Sequence, residues 1–245
     1  MRVFNQRAFT LISRPYSETS SIVEVFTRDY GRVGLMAKGA KRIKSKVKGV
    51  LQPFQPVLLS WSGKGEVPTL TSAEIDLEKV NLFQHDVSGD RLVCAFYCNE
   101  LLMSLIHRHD PHPKLFDIYQ DTVLQMGIEN SEVSLANNLR NFEQSIMKEA
   151  GYEVSFLTEP DGKTLIEDHS YYAFQPGQGF VRQTVDSPLN VKGLVIKSLY
   201  GANHAPSDPI IASEAKKLMR SILVQTMGKR NFVSRELFFS RKTLE

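Results

Sequence analysis

Apolar positions recur at every second residue through the first 72 residues. Residues 7–13 set Phe9 and Leu11 on one side and Thr10 and Ile12 on the other, while residues 57–61 give Val57, Leu59 and Trp61 a common face. Residues 21–27 are rich in β-branched and aromatic side chains, 32–37 follow the turn Asp29-Tyr30-Gly31 as a third strand, and 66–71 follow the glycine-flanked turn Ser62-Gly63-Lys64-Gly65. Five strands this close together, with no helix long enough to cover both faces, predict a small closed barrel. From about residue 84 the period lengthens to three and four residues. Leu92, Cys94, Ala95, Cys98, Leu101, Leu102, Leu105 and Ile106 predict a helix that ends before His107. Further helices are predicted at 115–126, at 133–150 with Gly151 as terminator, at 191–200, and from 207 or 208 to 227. Residues 152–190 read as irregular, with 171–174 and 179–181 able to pair as a small hairpin. Ser234 is a plausible cap for the tail at 234–239.

The expected fold class is therefore α+β: a five-stranded barrel in residues 1–80, then a mainly α-helical domain in 81–245 with an irregular, partly β insertion at 150–190. A Greek-key barrel of the OB type leads, because its loops commonly grip nucleic acid, and an SH3-like barrel stays open on pattern alone.

Charge sharpens this picture. The net charge of +3 conceals +8 over residues 1–54, −11 over 55–215 and +7 over 216–242, with Glu245 making up the total. Two basic ends flanking an acidic middle suggest that a polyanion meets the ends rather than the whole surface. The densest stretch runs from Lys38 through Lys41, Arg42, Lys44 and Lys46 to Lys48, six cations in eleven residues with no acid. Were its middle extended, Lys44, Lys46 and Lys48 would line one side about 6–7 Å apart, a spacing suited to consecutive phosphates. Arg14 and Arg32 lie on neighbouring elements. Tyr16 and Phe54, both in turns, are the rings placed to stack on bases, whereas Phe9, Phe26 and Trp61 alternate as core residues do. Lys216, Lys217, Arg220, Lys229, Arg230 and Arg235 either extend the track or form a plain solvated helix face.

Other chemistry finds little support. His107-Arg108-His109-Asp110-Pro111-His112 holds metal-type side chains, but it sits at a helix end and lacks a second ligand cluster. Cys94 and Cys98, four apart on one helix face, read as small core residues of a reducing cytoplasm, since a structural zinc needs four ligands. No P-loop, nucleophile elbow or dinucleotide fingerprint occurs, and no stretch of about 18 apolar residues predicts a membrane span. The expectation is a non-enzymatic, cytoplasmic, nucleoid-associated binder of nucleic acid without cofactors. An RNA-binding or assembly factor is the alternative reading.

The chain also resembles a known family. The resemblance is carried by Arg7-Ala8-Phe9, Ser13-Arg14-Pro15-Tyr16-Ser17-Glu18-Thr19-Ser20, Gly31-Arg32-Val33, Ala37-Lys38-Gly39-Ala40 and Leu51-Gln52-Pro53-Phe54-Gln55-Pro56. Gly63-Lys64-Gly65-Glu66, Leu70-Thr71-Ser72-Ala73-Glu74, Glu100-Leu101-Leu102, Leu139-Arg140-Asn141-Phe142-Glu143, Gly151-Tyr152 and Ser234-Arg235-Glu236-Leu237 continue it. In that order the segments are similar to the RecO recombination mediators. The resemblance implies an N-terminal OB-fold and a helical C-terminal domain. It also implies binding of single- and double-stranded DNA, annealing of complementary strands, and help for RecA in replacing single-strand-binding protein. RecR, and the acidic tail of single-strand-binding protein, would then be partners. Many relatives carry a four-cysteine zinc site in the region matching about 150–185; this chain has no cysteine there, so no zinc is expected and that segment needs another source of rigidity.

Overall fold

The computed structural model describes residues 1–43, 45–80, 87–128, 132–184, 187, 190–201, 208–228 and 234. They fall into two compact units, Met1–Glu129 with Phe232–Glu245, and Asn130–Asn231.

In the first unit β1 (Arg2–Pro15), β2 (Ser21–Thr27), β3 (Gly31–Ala37), β4 (Pro56–Ser62) and β5 (Thr69–Ile75) close into a barrel of order β1-β2-β3-β5-β4. All pairings are antiparallel except β3 with β5, where Met36 faces Thr69. Closure depends on β1, which is twice the predicted length and pairs with both β2 and β4. Its register slips between Val3 and Gln6 and again between Thr10 and Ile12, and such bulges supply the bend a small barrel requires. Asn5, with φ of 47°, takes the left-handed conformation at the first slip. The fifth strand begins later than expected, because Gly63 to Pro68 form a longer loop before Thr69.

Inward-pointing Val3, Ala8, Val23, Val25, Val33, Leu35, Val57, Leu59 and Trp61 make the barrel core. Helix α1 (Lys46–Val50) closes one end, with Val47 and Val50 packed against that core beside the buried Ala40 and Leu51. This corrects the extended basic loop. Positions two apart on a helix lie roughly 200° apart, so Lys46 and Lys48 are both exposed but do not share a side, and Lys44 lies outside the described residues.

Phe9 and Phe26 are buried as expected, but outside the barrel. They face each other across the β1–β2 ladder and pack beneath α4 (Pro113–Ile128), with ring centroids 5.6 Å from Phe116 in both cases and 5.2 and 6.1 Å from Tyr119. A short α2 (Leu77–Val80) follows β5, and α3 (Gly89–Leu105) buries Cys94 and Cys98, both free thiols. Residues 81–86, part of the expected long helix, lie outside the described residues.

The second unit holds α5 (Glu132–Glu149), the predicted hairpin as β6 (Tyr171–Gln175) and β7 (Gly179–Gln183), and α7 (Pro209–Met227). Where a helix was expected at 191–200, a two-residue strand β8 (Val191–Lys192) extends the sheet on β6, and only Gly193–Lys197 (α6) is helical. Glycine is required there: a Cβ on Gly193 would lie 2.1 Å from the Glu167 carbonyl oxygen. Helix α7 starts on an Asp208 carboxylate that accepts from Ile210 N at 2.8 Å, with Pro209 in the first turn. Among the described residues no helix is long and apolar enough to cross a membrane.

Candidate nucleic-acid interface

The β1–β2 turn and the loop leaving β3 meet at one rim of the barrel. Tyr16 N donates to Ser20 O at 3.0 Å, which closes the turn and leaves the Tyr16 ring 63% exposed. Lys41 then ties the two segments: its backbone N–H donates to Thr19 O and its Nζ to Ser17 O, both at 3.0 Å. Gly39, at φ of 71°, reverses the chain after Lys38, and the Arg42 amide closes that turn onto the Gly39 carbonyl at 3.1 Å. Arg14, Lys38, Lys41, Arg42, Lys46 and Lys48 are consequently exposed along the rim. Among the described residues, none of these six lies within ion-pair distance of a carboxylate. The rim thus gathers like charges without an ion-pair partner among the described residues, which favours a polyanion from solution.

Two expected contributors are used elsewhere. Arg32 is half-buried, and its Nη1 donates to the carbonyls of Leu102 and Met103 in the last turn of α3. The Leu102 carbonyl already accepts from Ile106 N at 3.1 Å and the guanidinium adds a second donor, so Arg32 caps the end of α3 mainly through Met103, and burial lowers its pKa against the pull of Glu24. Phe54, held at φ of 67°, is half-buried with its ring edge-on to Phe96 of α3 at 4.9 Å. The ring is thus packed against α3 rather than standing free like that of Tyr16.

The histidine-rich segment is a strap. His109 N donates to Arg32 O at 2.9 Å, and Arg108 Nε donates to Glu24 Oε1 at 2.7 Å across Gly34. A Cβ on Gly31 would lie 2.0 Å from the Asp110 carbonyl oxygen, so the strap sits directly on the barrel. His112 Nε2 faces Asp110 Oδ2 at 3.2 Å, and among the described residues no group of three ligating side chains is placed to hold a metal. Barrels of this type often bind oligonucleotides on the outer face of strands 2 and 3. Here the strap and the rings of α4 cover that face, so the loops are the part left open.

In the second unit Lys216, Lys217 and Arg220 share the exposed side of α7, opposite Ala215, Leu218, Met219, Ile222 and Leu223. Lys229, Arg230 and Arg235 lie outside the described residues. Lys64, exposed between Gly63 and Gly65, carries no signal of its own in the sequence, because a hairpin turn already explains its glycines. The bond from Met36 N to Pro68 O, at 2.9 Å, brings its loop beside the end of β3.

Strand order β1-β2-β3-β5-β4, with a helix inserted between β3 and β4, defines an oligonucleotide-binding fold whose rim is cationic. Family models agree with that class. "Recombination protein O N terminal" matches residues 1–76 and "Recombination protein O C terminal" matches residues 87–236. Proteins named DNA repair protein RecO are similar over most of their length. The one from Polynucleobacter necessarius is 39% identical across 100% of this chain and 99% of its own. That from Nitrosococcus oceani is 39% identical across 97% and 93%, and that from Burkholderia pseudomallei 36% identical across 99% and 86%. The chain belongs to the recombination protein O (RecO) family.

Proposed function

We propose that this chain serves DNA repair and homologous recombination as a mediator without catalysis of its own. It binds single- and double-stranded DNA through phosphates, without reading sequence, because ammonium and guanidinium groups on phosphates carry no base code. The observation that carries this reading is the rim of Arg14, Lys38, Lys41, Arg42, Lys46 and Lys48, free of carboxylate partners among the described residues and flanked by the exposed Tyr16. Two strands held on one positive surface repel each other less and meet at higher local concentration. That is sufficient to speed annealing, with no bond made or broken.

The barrel, residues 1–80, is the proposed DNA-holding domain. Residues 81–245 would dock RecR and the acidic tail of single-strand-binding protein while RecA loads. Lys44, Lys229, Arg230 and Arg235, together with Lys216, Lys217 and Arg220 on α7, supply further phosphate-binding cations. This reading places the chain at the nucleoid.

The test is binding to a single strand across a salt series. Lys38→Glu, Arg42→Glu and Lys46→Glu combined should weaken binding and flatten the log–log slope by about 0.7 for each phosphate no longer held. Annealing of strands covered by single-strand-binding protein should fall in parallel. An unchanged slope removes the rim from the DNA path.

A further inference from the structure

Ile43 is the most exposed large apolar side chain described, at 99%, and it stands inside the cationic rim. Apolar residues of this segment recur at Ala40, Ile43, Val47 and Val50, the spacing of one helix face. Three of the four obey it and pack on the barrel core. Ile43 does not, because the chain makes a turn in which the Ser45 amide donates to the Arg42 carbonyl at 3.0 Å, and Ile43 follows Arg42 in that turn. A β-branched side chain is stiff, so little rotamer freedom is lost when it is buried in a ligand. Lys41 anchors the same segment to the β1–β2 turn that bears Tyr16.

We propose that Ile43 is a wedge that enters between neighbouring bases of the bound DNA strand while Arg42, Lys41 and Lys38 hold the flanking phosphates. Charge complementarity selects the occupant. An apolar tip framed by unpaired cations fits a polyanion whose interior is a stack of apolar faces, and it fits an apolar protein groove poorly, since burial there would strand the charges. Prying one step apart also exposes base edges to an incoming complementary strand. This inference rests on the DNA-binding reading of the rim.

The experiment uses the full chain and a single strand carrying 2-aminopurine, which brightens when unstacked. Saturating wild-type protein should raise the fluorescence. Ile43→Ser, which cannot disturb a core that Ile43 does not touch, should keep the salt slope and weaken binding by about fivefold, as for partial burial of one aliphatic side chain. It should also lose at least half of the fluorescence gain at saturation, and Ile43→Leu should restore that gain. A full gain with Ile43→Ser, or no gain with wild type, overturns the wedge. If Lys38→Glu, Arg42→Glu and Lys46→Glu combined leave affinity and slope intact, the DNA-binding reading of the rim fails first, and the wedge falls with it.

Discussion

The Tyr119 phenol on α4 donates to Asn99 Oδ1 on α3 at 2.6 Å, and Asn99 Nδ2 donates onward to the Leu11 carbonyl of β1 at 2.9 Å. Leu11 lies where the β1–β2 register slips, so its carbonyl has no place in that ladder. The bulge that helps bend the barrel would leave a buried acceptor, and a helix side chain satisfies it. Burial pushes the Tyr119 pKa well up, with the neighbouring Cys98 adding to the shift, so the phenol stays a donor at every working pH.

Tyr119→Phe should therefore cost about 1–3 kcal/mol in a urea melt, since it strips a donor from a buried amide oxygen while the ring packing on Phe9 and Phe26 survives. Asn99→Leu should cost more, because it removes two hydrogen bonds at once, the donor to the Leu11 carbonyl and the acceptor of the phenol. Equal stability of Tyr119→Phe and wild type would show that this bond contributes nothing to holding the helices on the barrel.

The alternation that identifies the strands reports burial correctly but not which side of the sheet is inside. Phe9 and Phe26 have the pattern of barrel core, and they are core, yet against α4 on the outer face. Period two has the same appearance when both faces of a strand are covered, and only the helices about 90 residues later decide between them. The basic run is legible as charge and illegible as shape. Its apolar residues at 40, 43, 47 and 50 have helical spacing, yet only Lys46–Val50 is helical, a single turn too short to read from so sparse a pattern. Arg32 and Phe54 have the chemistry of an interface, and long-range partners on α3 claim both. No local signal in the sequence carries that.

Arg32 offers a clean separation of structural from interfacial cations. Arg32→Ala should destabilise the first unit by about 1–3 kcal/mol, because two carbonyls at the end of α3 lose a charged donor. Its single-strand salt slope should match wild type. A slope lowered by about 0.7 with stability unchanged would return Arg32 to the DNA path.

Gly34 tests the Arg108–Glu24 pair. A Cβ there would sit 3.1 Å from Arg108 Nη2, so Gly34→Ala makes the guanidinium give by a few tenths of an ångström against Glu24, whose carboxylate is nearly enclosed while Arg108 is 36% exposed. Loosening a pair with one exposed partner should cost about 1 kcal/mol. The double variant Gly34→Ala with Glu24→Gln should recover part of the loss, since the stranded charge is then gone. Thermal melts of the two variants decide this, and a double variant no better than the single one would refute the charge argument.

The segment expected to need rigidity without zinc has Arg182 at its centre. Its guanidinium donates to Glu159 Oε1 at 2.9 Å, Glu167 Oε2 at 2.8 Å and Ser170 Oγ at 3.1 Å, and lies over the Tyr172 ring at 5.6 Å. One residue thereby joins the 159–170 loops to the β6–β7 hairpin. The hydrogen bond from Arg182, then that from Ser170, hold the Glu167 carboxyl below its ordinary value of 4.5. A carboxyl depressed on folding stabilises the fold above its unfolded value, and that contribution disappears as pH falls through the folded one. The protection factors at Ile166, Glu167 and Ser170, each rate being referred to the intrinsic rate at its own pH, should accordingly fall on acidification below about pH 4.5 in wild type. In Arg182→Met they should be low already at neutral pH and change less with acid. A chelator should leave wild-type exchange untouched. Protection that survives Arg182→Met at neutral pH would mean that the backbone bonds of the loops, Ile166 N to Leu157 O and Glu159 N to Thr164 O at 2.8 Å each, hold the segment without the arginine.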